Sequence, residues 1–211
     1  MLRPLRDQLG LTRVRIAACG GATMAPDVFR MFHAIGVPLR NIYGSTETGL
    51  LTCHQGERFD LETVGRWMES LPALNAPLQW RVSEVGELQV RGGSPFLGYY
   101  RREGSVESKL QDGWFQTGDA VTKTERGELV FLERLSDLKR LRSGESFPPQ
   151  FVETRLRFSP FIKDIMTVGD ETLDFVAALI NIDFDAVGNW AERRNLPYAG
   201  YTDLAQKPEV Y

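Results

Sequence analysis

Apolar positions change their spacing several times along this chain. Between Pro26 and Ile35 they fall at Val28, Met31, Phe32 and Ile35, the spacing of a helix with one buried stripe. Pro26 suits the first helical turn, Asp27 complements the positive end of the dipole, and Gly36 marks the stop. Ahead of it the pattern predicts a short helix (Leu2 to Leu9) and a strand (Val14 to Cys19) ending at Gly20-Gly21; behind it, a short strand (Val37 to Ile42) leads into a polar loop. Strand, glycine turn, helix, strand is α/β order, and ligands in such sheets sit beyond the carboxyl ends of the strands.

Short alternating runs follow at Gln79–Val82, Glu87–Arg91, Ala120–Lys123 and Glu128–Leu132, separated by turns such as Val85-Gly86 and Arg126-Gly127. They predict a small antiparallel sheet or distorted barrel. Past Glu133-Arg134 a positive run, Asp137 to Arg142, gives way to Ser143-Gly144 and Pro148-Pro149. A helix (Gln150 to Phe158), two strands (Ile162 to Val168, Phe175 to Ile182) and a helix (Phe184 to Arg194) predict a compact α+β unit, with no closing element after the last helix. The boundary between the two parts is placed between Arg134 and Asp137.

With 211 residues, 42% apolar and 25% charged, the composition is that of a globular protein. A formal charge of −3 supplies no basic field for nucleic acid and no polybasic membrane patch. The 2 cysteines, Cys19 and Cys53, have neither zinc spacing nor a disulfide framework, so a reduced, cytoplasmic setting is expected. Apolar runs stay far below the ~20 residues of a transmembrane helix.

Two stretches carry candidate chemistry. Tyr43 to Gly49 packs a ring, two glycines, three hydroxyls and one carboxylate into a segment that a plain helix or strand does not explain. Glycine admits close backbone approach to a ligand, hydroxyls donate to phosphate oxygens, and a carboxylate can hold a hard divalent cation. Gly113-Trp114-Phe115-Gln116-Thr117-Gly118-Asp119 ends in a turn that leaves one acid to accept from a diol. A nucleotide with its metal fits both. His33 and His54 lack ligand-spaced partners and read as structural; Cys19 reads as a buried strand residue; Lys139, Arg140 and Arg142 read as a solvated strand edge.

The order of these segments resembles the adenylate-forming superfamily, and within it the long-chain fatty acid branch of the acyl-CoA synthetases. Gly20-Gly21-Ala22, Tyr43-Gly44-Ser45-Thr46-Glu47-Thr48, Glu87 to Gly92 with Gly98-Tyr99-Tyr100, Trp114 to Asp119, and Glu133-Arg134 follow its motifs in order. Ser143-Gly144-Glu145 and Phe158 to Lys163 are most similar to the long-chain branch. The fold implied is α/β plus α+β: the end of an α/β sheet layer with a small β-barrel-like subdomain in a partial large AMP-binding domain (1–135), then a partial C-terminal small α+β domain (136–211).

The resemblance also implies roles. Tyr43 would pack on adenine, with the Gly20-Gly21-Ala22 backbone on its other side and Gly44 and Ser45 in the nucleotide-binding motif. Thr46 would donate to the α-phosphate and Glu47 would hold Mg²⁺, these two being the catalytic candidates. Asp119 and Arg134 would bind the ribose, Ser136 would be the hinge on which the small domain turns, and Gly144 would sit on the loop facing coenzyme A. ATP or AMP, Mg²⁺, coenzyme A and a fatty acid are the implied ligands. Location is expected in the cytoplasm, with peripheral membrane attachment as the alternative. The family's Ser/Thr/Gly-rich phosphate loop and its late catalytic lysine have no counterpart here, and Ser136 stands where the family shows Asp or Lys. The expectation is therefore a fragment lacking an N-terminal part and the extreme C-terminus, with that N-terminal part as a partner. A non-catalytic AMP-binding remnant and an adenylating enzyme with a carrier-protein acceptor remain alternatives.

Overall fold

The computed structural model describes residues 3–22, 24–68, 78–92, 96, 98–102 and 106–210; Leu2, expected to open the first helix, lies outside them. The chain divides into two compact units, Met1–Asp137 and Leu138–Tyr211.

The first unit is a mixed α/β layer built on one nine-stranded sheet. In chain order its elements are α1 (Arg3–Gln8), β1 (Ala17–Cys19), α2 (Pro26–Ala34), β2 (Leu39–Ser45), β3 (Gly49–Cys53), β4 (Gly65–Trp67), β5 (Leu78–Val82), β6 (Glu87–Gly92), β7 (Leu110–Gln111), β8 (Trp114–Lys123) and β9 (Glu128–Arg134). The strands follow the path β1-β2-β3-β4-β9-β8-β6-β5, with β7 added beside β8. Only β1 and β2 run parallel; the other pairs are antiparallel. The two sheet regions expected from the sequence are thus continuous, and among the described residues the path is open, with no closed barrel. Leu51, Trp67, Leu78, Leu88, Val90, Val121 and Leu129 form its core, with Tyr43 and Phe131 packed against them. Leu51, Leu88 and Leu129 are fully buried, each worth about 1.5–3 kcal/mol of apolar burial.

Several local expectations change. β1 is shorter than Val14–Cys19 because Val14 turns back to bond Leu11 and only Ala17–Cys19 meets partners on β2. β2 starts after Pro38, which has no N–H to give the ladder, and runs past Ile42 to Ser45. The Tyr43–Gly49 segment is therefore the head of a β-hairpin, not a loop: Tyr43 to Ser45 end β2, and Gly49 opens β3. Strand β3 and the three-residue β4 have too little alternation to show in the sequence.

The second unit contains a short hairpin, β10 (Lys139–Arg140) and β11 (Ser146–Phe147), then α3 (Pro149–Leu156), the antiparallel pair β12 (Ile162–Val168) and β13 (Ala177–Ile182), α4 (Phe184–Arg193) and α5 (Tyr201–Ala205). Asp183 caps α4, its Oδ1 accepting the Ala186 N–H at 2.9 Å. Helix α5 corrects the expectation that nothing closes the unit. Leu204 is fully buried and clusters with Ile182, Val187 and Ala191, and tertiary packing holds a helix too short to show a period. Among the described residues no helix is long and apolar enough to cross a membrane.

Candidate functional site

The β2–β3 hairpin brings the first set of candidates together. A register break between Tyr43 and Gly44 re-aims the end of β2. Gly44 is required there, since a Cβ would lie 2.1 Å from the Gly49 carbonyl oxygen; Gly49 itself turns at φ +69°. Ser45 Oγ and Thr48 Oγ1 bond across the turn at 3.0 Å, and the Thr48 N–H donates to the Ser45 carbonyl at 3.3 Å. An open cleft of about 470 Å³ lies beside the turn, lined by Gly20, Gly21, Ser45, Thr46, Gly49 and Leu50 among others. At Gly21 and Gly49 open space stands where a Cβ would be, so bare backbone is available to a ligand. Ala22 is exposed on the same glycine turn and Thr46 is exposed at the hairpin tip.

The second set joins side chains of β2, β8 and β9, although β3 and β4 lie between β2 and β9 in the sheet. The Tyr43 phenol donates to Asp119 Oδ2 at 2.5 Å, and its ring packs on Phe131 with centroids 5.8 Å apart. Arg134, the ladder partner of Asp119, places Nη1 2.7 Å from Asp119 Oδ1 and donates to the Thr117 carbonyl at 3.1 Å. Asp119 Oδ1 is buried and, despite that ion pair, has no hydrogen bond of good geometry. Burial pushes the Asp119 carboxyl above the usual carboxylate range, against the opposing pull of Tyr43 and Arg134; Glu47 and Glu87 add to the rise. The Tyr43 hydroxyl is pushed well above the usual phenol range by burial and by the Asp119 charge. The acid expected to stand free on a turn is instead already held by the ring and the guanidinium.

Glu47 takes a different partner. The Tyr99 phenol donates to its Oε1 and keeps the carboxyl below its usual range, while Lys109 Nζ lies 3.4 Å from the same phenol. The sequence assigns no role to Tyr99, Glu87, Thr117 or Phe131. Ser136 is exposed in a single 3-10 turn, Leu135–Asp137, its Oγ donating to Asp137 Oδ1 at 3.0 Å. Gly144 belongs to the second unit, at the turn between β10 and β11, with φ +87° and open space around it. Lys139 and Arg140 are exposed on β10, and Arg142 pairs with Asp174 at 3.0 Å.

The histidines hold structure. The His33 ring bonds the Leu39 carbonyl at 2.7 Å. His54 is buried: Nδ1 accepts the Asn41 N–H at 3.0 Å and Nε2 donates to the Thr63 carbonyl at 2.9 Å. Burial lowers its pKa. Cys19 is only half-buried, its thiol raised by that burial and close to Met24 Sδ and Asn41 Oδ1.

The donor set suits a nucleotide better than a free metal ion. Among the described residues no three His, Cys, Asp or Glu side chains cluster as a metal cage. One ionised carboxylate beside hydroxyls matches a Mg²⁺ that keeps its waters and takes phosphate oxygens as further ligands. Asp119 Oδ1 is an enclosed acceptor whose one close polar neighbour is the Arg134 guanidinium at 2.7 Å.

Comparison with known proteins agrees with that chemistry. A family model described as AMP-binding enzyme matches residues 2–100. Long-chain-fatty-acid–CoA ligase FadD15 of Mycobacterium bovis is 34% identical over 211 residues, covering 99% of this chain and 34% of the ligase. The chain thus spans about a third of the length of the curated relatives it matches. Among solved structures, the A-PCP didomain of carboxylic acid reductase from Segniliparus rugosus in complex with AMP superposes with TM-score 0.65 at 20% identity, over 92% of this chain and 30% of the didomain. O-succinylbenzoate coenzyme A synthetase from Bacillus subtilis, in complex with ATP and magnesium ion, gives 0.63 at 21% identity, over 94% and 44%.

Proposed function

This chain belongs to the AMP-binding, adenylate-forming superfamily, and we propose on that footing that it supplies the nucleoside and α-phosphate side of an ATP-dependent fatty acid–CoA ligase. Such an enzyme joins a carboxylate oxygen to the α-phosphorus of ATP, with pyrophosphate leaving, and the coenzyme A thiol then displaces AMP from the acyl-adenylate. The names of the ligase relatives support a long-chain acid and coenzyme A as the two substrates.

The convergence of Tyr43, Asp119 and Arg134 carries this reading. Asp119 would accept from the ribose hydroxyls once the Arg134 guanidinium, which is more than half exposed, swings off its enclosed Oδ1 to donate to the same sugar. The half-buried Tyr43 ring would face the base opposite the Gly20-Gly21-Ala22 backbone. Thr46 at the hairpin tip would donate to the α-phosphate. Glu47, kept ionised by Tyr99, would provide one carboxylate to the Mg²⁺ that neutralises phosphate charge. Ser136 and Gly144 would serve as hinge and coenzyme-side loop. The chain's task is positioning and charge neutralisation, which accounts for much of the catalysis in phosphoryl and adenylyl transfer.

Titration calorimetry of the whole chain with AMP tests the reading. Saturable binding is expected, weakened about tenfold or more in Asp119→Ala, since a buried sugar contact to a charged group is worth about 1.5–3 kcal/mol. A folded chain that binds no AMP, or binds it unchanged after that substitution, would refute the assignment. Pyrophosphate release with ATP, Mg²⁺ and palmitate then separates adenylation by the chain itself from nucleotide binding alone.

A further inference from the structure

Glu87 has no place in the roles above, yet it is 8% exposed on a strand whose neighbouring Leu88 and Val90 face the apolar core. A buried acid at the start of a strand calls for a partner. Its Oε1 accepts the Gly118 N–H at 2.9 Å, one residue before Asp119; Gln89 Nε2 approaches Oε2 at 3.5 Å.

The β6–β8 ladder explains why that bond matters. Glu87 pairs with Ala120 and Gln89 with Gln116, so three residues of β8, Thr117 to Asp119, stand opposite Leu88 alone. The excess of two residues is a β-bulge of the larger, special kind, which bends a strand and redirects its side chains. Its polar groups are met by side chains in place of the ladder. Thr117 Oγ1 donates to the Leu88 carbonyl at 2.6 Å and accepts the Asp119 N–H at 3.1 Å. The Thr117 carbonyl accepts from Arg134, and the Gly118 N–H donates to Glu87. Gly118 turns there at φ +74°, open to few residues besides glycine.

We propose that Glu87 is a positioning residue: its carboxylate holds the Gly118 N–H and thereby fixes the bulge that delivers Asp119 to Tyr43 and Arg134. This rests on reading Asp119 as the sugar-binding acid. Reach, not charge, is what the role demands. Glu87→Gln keeps an oxygen at the same distance, whereas Glu87→Asp keeps the charge but withdraws it by one methylene.

The test compares binding of AMP with 2′,3′-dideoxy-AMP, which lacks the sugar hydroxyls, across wild type and both variants of the whole chain. Wild type should prefer AMP; Glu87→Gln should keep that preference within about threefold, and Glu87→Asp should lose about tenfold of it, a change of about 1.4 kcal/mol. Dideoxy-AMP affinity should stay constant throughout, a split that general destabilisation would not give. A wild type without preference overturns the sugar-binding reading and the proposal with it. A preference kept by Glu87→Asp, or lost by Glu87→Gln alone, overturns the proposal and leaves that reading intact. Should a variant not fold, amide exchange of Gly118 in wild type decides: slow exchange supports the Glu87 bond, and exchange at the free-amide rate overturns it.

Discussion

Asp119 places a carboxyl in an environment that is costly for its charge. The residue is 4% exposed, and burial raises the pKa of its carboxyl, which Tyr43 and Arg134 only partly offset. A carboxyl whose folded pKa exceeds its unfolded value binds more protons when folded. Its contribution to stability is therefore greatest at low pH and declines as pH rises above the ordinary Asp value of about 3.9 through the raised folded one. Asp119→Asn removes this titration. In urea denaturation, stability of the variant minus that of wild type should grow between about pH 4 and pH 7, while AMP binding weakens; a difference constant with pH would refute the assignment of strain to Asp119. Such opposition between stability and binding is expected where a charged group is held ready for a ligand. From the sequence, the acid type and the adjacent glycine were readable. Its pairing with Tyr43, 76 positions away, was not, because that contact depends on how the assembled sheet brings two non-neighbouring strands' side chains together.

Among the elements, the β2–β3 hairpin and the loop from His54 to Thr63 carry most of the site's support. Asn41 on β2 donates through its side chain to the Thr63 carbonyl at 3.0 Å, His54 joins the Asn41 N–H to the same carbonyl, and the buried Glu128 of β9 accepts the Asp60 N–H at 3.0 Å. A polar network of this kind ties β2 and β9 to the loop over 54–63 and supports the hairpin whose tip bears Thr46 and Glu47. His54 must stay neutral for Nδ1 to accept. With its folded pKa below the unfolded value of about 6.5, its contribution is complete above that value and is lost as pH falls through the interval beneath it. The stability advantage of wild type over His54→Gln should accordingly shrink between about pH 7 and pH 5 in chemical denaturation; an advantage that holds or widens would remove His54 from the network. The helix over 26–34 was legible from its apolar period, and the strands over 87–91 and 128–132 from their alternation. β3, β4 and α5 were not, since runs of three to five residues take their stability from neighbours and carry little period of their own.

For the molecule as a whole, the three strands that bear Tyr43, Asp119 and Arg134 fall within Met1–Asp137. Hydrogen exchange of the intact chain should therefore gain protection on adding AMP at Tyr43–Ser45 and at 115–120, where backbone and side chains meet the proposed ligand. Protection confined to Leu138–Tyr211 would overturn that location. The sequence by itself determined the α/β start, the later α+β unit, the absence of a basic surface field, and the residue types suited to a nucleotide, because period, composition and local turn chemistry are properties of neighbouring residues. Tertiary structure alone decided that two sheet regions are one open sheet, that a supposed loop is a hairpin head, and that Glu87 and Thr117 satisfy the bulge bearing Asp119. Those facts depend on ladder register between distant strands, and a register is selected by the packing and hydrogen bonding of the assembled core, not by any segment alone.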